Sequence, residues 1–322
     1  MNNTKAVHWI LGVALLMIGV FVVVALVMVN SQADDVATDV SIDNISPSVD
    51  SIFVSDGQYD LVDDYGGAGG TITGLTAGGA TTYHVNGVVS DENGDDDIYK
   101  VSAVLYQTDV VQTCTDDNNS CYSDDTDSNC TIDTTYGDST EAKFDCALDV
   151  YFYAVATEAG ANASWDTWTV YVEVEDDDAS TDTDTLSKEM GSMLGLNIPS
   201  TIDFGTLALG ALTTSGNNYE MSIEQYGNKS ADVLLSGTAL TCDGSDAGIP
   251  MGNVKADIVD IGHDQGGSQM SGTPSDMNLG IGERTIDGTP KTKILYWNIA
   301  IPATGVEGEC TGTTTITAKA AD

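Results

Sequence analysis

FDCALDVYF, residues Phe144–Phe152, carries the clearest period-two pattern in the chain and decides its fold class. Apolar side chains stand at every second position, and aspartate, alanine and tyrosine fall between them. Because successive side chains of a β-strand point to opposite faces of a sheet, this alternation indicates a strand with one buried face. The stretch therefore predicts an all-β fold.

Segments of similar length and alternation flank this strand on both sides. In Ile98–Gln107 the alternation predicts one face made of Tyr99, Val101, Ala103 and Leu105. Six or seven short strands over about 130 residues predict an antiparallel sandwich. The other strands predicted in this part are Ser51–Ser55, Thr71–Thr76, Thr82–Ser90 and Trp168–Val174.

Composition divides the chain into five regions. Residues 175–192, EDDDASTDTDTLSKEMGS, are mostly acidic or small and polar. Such a segment has little to bury, so it predicts an extended interdomain linker. A second set of alternating segments follows it and predicts a second all-β sandwich. The predicted regions are 1–33 (cytoplasmic tip and membrane helix), 34–50 (acidic stalk), 51–175 (first sandwich with a cysteine-rich loop), 176–192 (linker) and 193–322 (second sandwich).

Residues 9–29, WILGVALLMIGVFVVVALVMV, contain no charged side chain. A helix of that length, at about 1.5 Å per residue, matches the hydrocarbon core of a bilayer. Lys5 precedes the run and acidic residues follow it, so the positive-inside rule places the N-terminus in the cytoplasm and residues 31–322 outside. The sequence therefore predicts a single-pass surface protein. A cleaved secretory signal ending near Ser31-Gln32-Ala33 is the alternative.

The formal net charge of the chain is −40. Such a charge repels nucleic acid phosphates and anionic lipid, and both are excluded as partners. It favours divalent cations or a high-salt environment, and the composition alone does not separate the two.

The chain has six cysteines, and all of them follow the predicted membrane segment. An even count in an oxidising compartment predicts disulfides. Within the second sandwich two cysteines have only each other, whereas the four in the first allow three pairings. A hairpin between Val101–Gln107 and Cys146–Val155 would favour the nested pairing. The expected bonds are Cys242–Cys310, Cys114–Cys146 and Cys121–Cys130.

The loop Asp91–Asp97, DENGDDD, places oxygen-bearing side chains at alternate positions. Calcium takes six to eight oxygen ligands, of which this loop could supply four. The sequence therefore predicts a calcium site, and a solvated hairpin turn is the alternative. The predicted ligands are Asp91, Asn93, Asp95 and Asp97.

Trp165 and Trp168 lie close together among several tyrosines. Exposed aromatic rings bind sugars, so these two residues are candidate glycan contacts, although alternating aromatics in a sandwich also pack in the core. Catalysis has little support, because neither His84 nor His263 lies near a serine or cysteine nucleophile motif. We predict a protein that is not an enzyme and has no cofactor besides calcium.

Several segments resemble known surface modules. GVVSDENGDDDI (Gly87–Ile98) resembles the loop between the second and third strands of immunoglobulin-like, cadherin-like domains. Ile202–Gly210 followed by Tyr219–Asn228 is similar to ASH-like modules, and Tyr296–Ala320 resembles the closing hairpin of bacterial and archaeal surface sandwiches. These resemblances imply two immunoglobulin-like domains. Lys5-Ala6-Val7 before the apolar run resembles the start of an archaeal type IV pilin.

The expected function is a membrane-anchored, surface-displayed structural or adhesive protein that acts through protein or glycan contacts. A pilin-like filament subunit, which forms a homo-oligomer through its N-terminal helix, is the alternative. A carbohydrate-binding accessory module is the third possibility.

Overall fold

Strands form almost all of the regular structure in a computed structural model that describes residues 39–114, 119–123, 130–286 and 288–321. The helical elements in those ranges are two short 3₁₀ turns, Asp95–Asp97 and Met251–Asn253. Residues from Asn44 onward belong to one compact unit. The all-β prediction is confirmed.

Nine strands make two sheets in the N-terminal half, defined here as residues 44–191. The first sheet has the order β1-β3-β7-β6 and is antiparallel throughout; the second has the order β2-β9-β8-β4-β5, with a parallel β2–β9 pair. The bounds are β1 Ser48–Ser55, β2 Gly70–Ile72, β3 Ala80–Ser90, β4 Ile98–Gln107, β5 Cys121–Ser123, β6 Cys130–Asp133, β7 Glu141–Tyr151, β8 Trp168–Asp176 and β9 Thr181–Met190.

One hydrophobic core fills the space between these two sheets. Val85 and Phe144 enter it from the first sheet, and Val101 and Val170 enter it from the second. The alternating apolar residues of Phe144–Phe152 are all buried. Two sheets that share one core form a β-sandwich.

The C-terminal half, residues 192–321, has a second core of its own. Its sheets have the orders β10-β11-β17-β14-β15, β16-β12-β19 and β13-β18. Ile223 and Trp297 from the first of these sheets pack with Val233 and Leu235 from the second. The bounds are β10 Leu196–Asn197, β11 Tyr219–Gln225, β12 Ala231–Gly237, β13 Thr241–Cys242, β14 Val254–Asp257, β15 Ser268–Gln269, β16 Ser275–Asp276, β17 Thr292–Ile299, β18 Cys310–Thr311 and β19 Thr314–Ala320.

The predicted linker is wrong for residues 181–190, which form β9. This strand pairs with β8 over residues 181–188 and with β2 at its end. Its sequence, TDTDTLSKEM, is polar because much of the strand is exposed, with Lys188 and Met190 as its buried residues. Main-chain hydrogen bonds do not require apolar side chains, so a polar strand can complete a sheet.

The face predicted for β4 is wrong at one position. Tyr99 is exposed, whereas Val101, Ala103 and Leu105 are buried as predicted. The pairing of β4 with β8 shifts between Ile98 and Lys100. Such a β-bulge reverses the direction of the side chain at the shift.

Each of the six cysteines forms a disulfide. Cys242 and Cys310 are joined, the pair that the sequence predicted. The nested pairing is wrong, because the bonds are Cys114–Cys121 and Cys130–Cys146. The reason is that β4 and β7 lie in different sheets and form no hairpin, while β6 places Cys130 directly opposite Cys146 on β7.

The predicted membrane segment, residues 9–29, lies outside the described residues. Across 39–114, 119–123, 130–286 and 288–321, the structure contains no helix with the length and apolar character needed to cross a bilayer.

Candidate functional site

Three carboxylates meet at one end of the N-terminal sandwich. One oxygen of each of Asp91, Asp97 and Asp176 lies within 4.8 Å of the others. Asp91 directly follows β3, Asp97 ends the 3₁₀ turn before β4, and Asp176 is the last residue of β8. The cluster, called the acidic cluster below, therefore draws on both sheets.

The turn between Asp91 and Asp97 is shaped by its own main chain. The N–H of Gly94 donates to the carbonyl of Asp91 at 3.1 Å, and the N–H of Asp97 donates to the carbonyl of Gly94 at 3.1 Å. Gly94 has a φ of 138°, a conformation that favours glycine. This tight turn returns the chain towards its start, so Asp97 comes close to Asp91.

Asp91 and Asp176 are the two buried members of the acidic cluster, each 1% exposed. The Oδ1 of Asp91 accepts a hydrogen bond from the N–H of Asn93 at 2.7 Å. Its Oδ2 is buried and has no hydrogen-bond partner in the described part of the chain. A buried carboxylate oxygen without a donor is costly, because it has lost water and gained nothing in return.

Asp176 is held in place by donors from two segments. Its Oδ2 accepts from the Nδ2 of Asn44 at 2.8 Å, and its Oδ1 accepts from the N–H groups of Asp178 and Ser180. These hydrogen bonds, led by that from Asn44, hold the pKa of Asp176 below its usual range. Asp176 is therefore ionised at neutral pH.

The pKa of Asp97 is shifted upwards, in contrast to that of Asp176. Desolvation is the largest cause of the raised pKa of its carboxyl group, followed by the negative charges of Asp91 and Asp176. The ion pairs Lys188–Asp63, Arg284–Glu224 and Lys319–Asp276 lie elsewhere in the described residues and do not involve the acidic cluster. The cluster thus brings three carboxylates together at one end of the sandwich.

The four predicted calcium ligands do not all have the same surroundings in the structure. Asp91 and Asp97 belong to the acidic cluster, whereas Asp95 does not. The Oδ1 of Asn93 accepts a hydrogen bond from the N–H of Ile45 at 2.7 Å. The sequence does not predict Asp176 as a ligand, because this residue lies at the start of the predicted linker.

A cavity of about 190 Å³ lies where the two halves meet, and Trp165 stands at its edge. Trp165 is 84% exposed, whereas Trp168 is fully buried in the N-terminal core. The indole Nε1 of Trp168 donates to the carbonyl of Val155 at 2.8 Å, and its ring stacks on Tyr122. Of the two tryptophans predicted to contact a glycan, Trp165 is the accessible one.

Polar groups line the rest of the cavity. Asn162, Asn228, Glu283 and Arg284 are among its walls, and the Nδ2 of Asn162 donates to the Oε2 of Glu283 at 2.5 Å. Arg284 is mostly buried and forms an ion pair with Glu224 at 3.1 Å. Its guanidinium also lies over the ring of Phe152, and this contact fixes its position.

Asn228 joins the two halves beside this cavity. Its Nδ2 donates to the carbonyls of Ala154 and Gly191 at 2.8 and 3.0 Å, and its Oδ1 accepts from the N–H of Met193 at 2.6 Å. Nothing in the local sequence around Asn228 indicated this role. The contact depends on residues far away in the chain.

Comparisons with known proteins give no family. No protein-family model matches the chain, and no curated protein matches it. Among solved structures, the chain is similar to the secreted serine protease VesC from Vibrio cholerae, with 8% identity, a TM-score of 0.19, and coverage of 78% of this chain. The chain spans 50% of the length of that protease structure.

Two other similar structures have the titles "BspA_C_WT" and "Streptococcus agalactiae AgI/II polypeptide BspA C terminal domain". The first has 11% identity, a TM-score of 0.21, and coverage of 83% of this chain and 99% of its own. The second has 10% identity, a TM-score of 0.19, and coverage of 85% and 100%. At these scores the likenesses carry no argument about function.

Proposed function

We propose that this chain is an exported, surface-displayed structural or adhesive β-protein that binds a neutral glycan beside Trp165. Its three disulfides support export, because such bonds persist in oxidising compartments. Anchoring through residues 9–29, with the N-terminus inside, and two immunoglobulin-like domains that meet near residue 192 are parts of the same proposal. β-Sandwiches host many unrelated functions, so the argument for binding depends on the site.

The exposure of Trp165 is the observation that carries the proposal. A tryptophan that is 84% exposed gives up most of the stabilisation that burial of its ring would supply. Its ring is instead available at the edge of a cavity with polar walls. Ligand sites combine such an apolar surface with a few polar groups that fix orientation. A sugar has both a C–H face that packs on a ring and hydroxyl groups that take hydrogen bonds.

The charge of the protein restricts the kind of glycan. With a net charge of −40, the protein repels anionic ligands at long range. The polar walls include both Glu283 and Arg284, and Arg284 is already paired with Glu224. The cavity therefore suits a neutral sugar better than a uronate or a sulfated one.

Tryptophan fluorescence tests this proposal directly. Among the described tryptophans, Trp168 and Trp297 are buried, so the long-wavelength emission of this part of the chain comes from Trp165. Titration with neutral hexasaccharides of glucose, mannose and N-acetylglucosamine should move that emission to shorter wavelength. Trp165→Ala lacks the reporting indole, so its binding is measured by isothermal titration calorimetry, where it should be lost.

Tyr99→Ala is the matched control, because Tyr99 is also a largely exposed aromatic residue but lies at the opposite end of β4 from the residues near Trp168. This variant should bind like the parent. If no neutral hexasaccharide alters the emission, or if both variants bind equally, the glycan site is wrong.

A further inference from the structure

We propose that Asp91, Asp97 and Asp176 form a calcium site that joins the two sheets of the N-terminal sandwich at one end. The proposal is independent of glycan binding, since the cavity beside Trp165 uses other residues. It also differs from the site that the loop sequence predicts, because one ligand comes from the end of β8 and Asp95 is left out.

The unpartnered oxygen of Asp91 is the first reason. Asp91 is almost fully buried, and its Oδ2 has no donor within the described residues. Two more carboxylates converge on the same place, with one oxygen of each within 4.8 Å. Three like charges at that distance repel one another unless a cation lies between them.

The ligand chemistry selects the type of cation. All three side chains offer hard carboxylate oxygens, which calcium and magnesium prefer, whereas zinc and copper sites use histidine or cysteine. Calcium accepts six to eight oxygens in flexible geometry, and magnesium demands a near-ideal octahedron. A cluster built from one rigid strand end and one tight turn suits calcium, with water completing the shell.

The supporting hydrogen bonds are already in place. Asn44 and the N–H groups of Asp178 and Ser180 orient the carboxylate of Asp176, and Asn93 orients that of Asp91. Groups of this kind hold metal-binding carboxylates in position. Asp97 differs from these two residues, because its carboxylate accepts no hydrogen bond from the described residues. Asp97 would therefore be the ligand that moves most on binding.

Two measurements at fixed ionic strength test the site. Calorimetric titration with calcium chloride gives the affinity, and thermal unfolding with and without calcium gives the shift in unfolding temperature. Extracellular calcium modules have dissociation constants on the order of 10⁻⁴ M. At 10 mM calcium, a site of that affinity should raise the unfolding temperature of the N-terminal half by about 5–10 °C. Magnesium chloride at 10 mM has the same ionic strength and should raise it far less.

Asp97→Asn and Asp95→Asn form a matched pair. Both residues lie in the same 3₁₀ turn, both are half-buried, and each change removes one negative charge. Asp97→Asn should weaken calcium binding by roughly tenfold or more, as expected for loss of a ligand. Asp95→Asn should leave the affinity within about twofold, because its carboxylate is outside the cluster. Asp176→Asn should act like Asp97→Asn.

The outcomes are distinct. Equal losses in Asp95→Asn and Asp97→Asn would mean that calcium responds to the total charge of the loop, and the proposed site would be wrong. Equal thermal shifts from calcium and magnesium in the parent would have the same meaning. If Asp176→Asn fails to fold because its new amide nitrogen cannot accept the hydrogen bond from Asn44, the Asp97→Asn comparison still decides the question.

Discussion

Removing one partner of the buried ion pair between Lys188 and Asp63 should cost the N-terminal half several kcal/mol. Lys188 lies on β9 and is fully buried. Its Nζ contacts Asp63 Oδ1 at 2.6 Å and Oδ2 at 2.7 Å, and it donates to the carbonyl of Gly67 at 2.8 Å. The ammonium therefore fixes the long loop between β1 and β2 to the second sheet.

Asp63→Asn tests the charge of the pair alone, because it keeps the shape of the side chain and removes its charge. The ammonium of Lys188 then stays buried without an opposite charge. Breaking one partner of a buried pair costs about 3–5 kcal/mol. Lys188→Met removes the buried charge itself and should cost less, since an apolar side chain of similar size can fill the space.

Urea denaturation followed by circular dichroism measures these free energies, with the midpoint read at constant slope. The double variant Asp63→Asn/Lys188→Met should be about as stable as Lys188→Met alone, because the two residues act as a pair. Asp276→Asn is the control, since it breaks the Lys319–Asp276 pair, whose two side chains are both partly exposed. Such surface pairs contribute about 0–1 kcal/mol.

A loss below about 1 kcal/mol in Asp63→Asn would refute the reasoning, because the pair would then behave like the surface control. Strict additivity in the double variant would also refute it. Either result would mean that the interaction between Lys188 and Asp63 contributes little to the free energy of unfolding.

Two further measurements test other parts of the structure. Replacing both Cys242 and Cys310 by alanine opens a loop with a sequence separation of 68 and should lower the free energy of unfolding by about 4 kcal/mol, measured by urea denaturation; a loss below about 1 kcal/mol would contradict the entropic account. Asn228→Ala removes two hydrogen bonds to the N-terminal half, at Ala154 and Gly191, and one to Met193 at the junction, and should cost about 2–4 kcal/mol. It should also speed proteolysis at the junction around residue 192, and an unchanged cleavage rate would show that Asn228 does not hold the halves together.

The sequence alone determined the class of fold and most of the buried strand faces. Phe144–Phe152 and Trp168–Val174 alternate because one face of each strand is in the core, and their buried residues are those that the pattern predicted. The Cys242–Cys310 bond also followed, because the predicted C-terminal region offers no other choice. The strand faces follow from local alternation, and the disulfide follows from the number of cysteines in the region.

Tertiary structure decided whatever depends on pairing between distant segments. The strand β9 has no apolar alternation, so only its hydrogen bonds to β8 and β2 reveal it. The disulfides of the N-terminal half followed the assignment of β4 and β7 to different sheets, which no hairpin pattern indicates.

The two candidate sites show the same division. Trp165 and Trp168 are three positions apart, yet one lies in a loop and the other in a buried strand. Asp91 and Asp97 could be recognised from a short motif, but Asp176 joins them from the end of a different strand. A sequence motif reports spacing along the chain, whereas a ligand site depends on distances in space, and only the packing of the two sheets sets those distances.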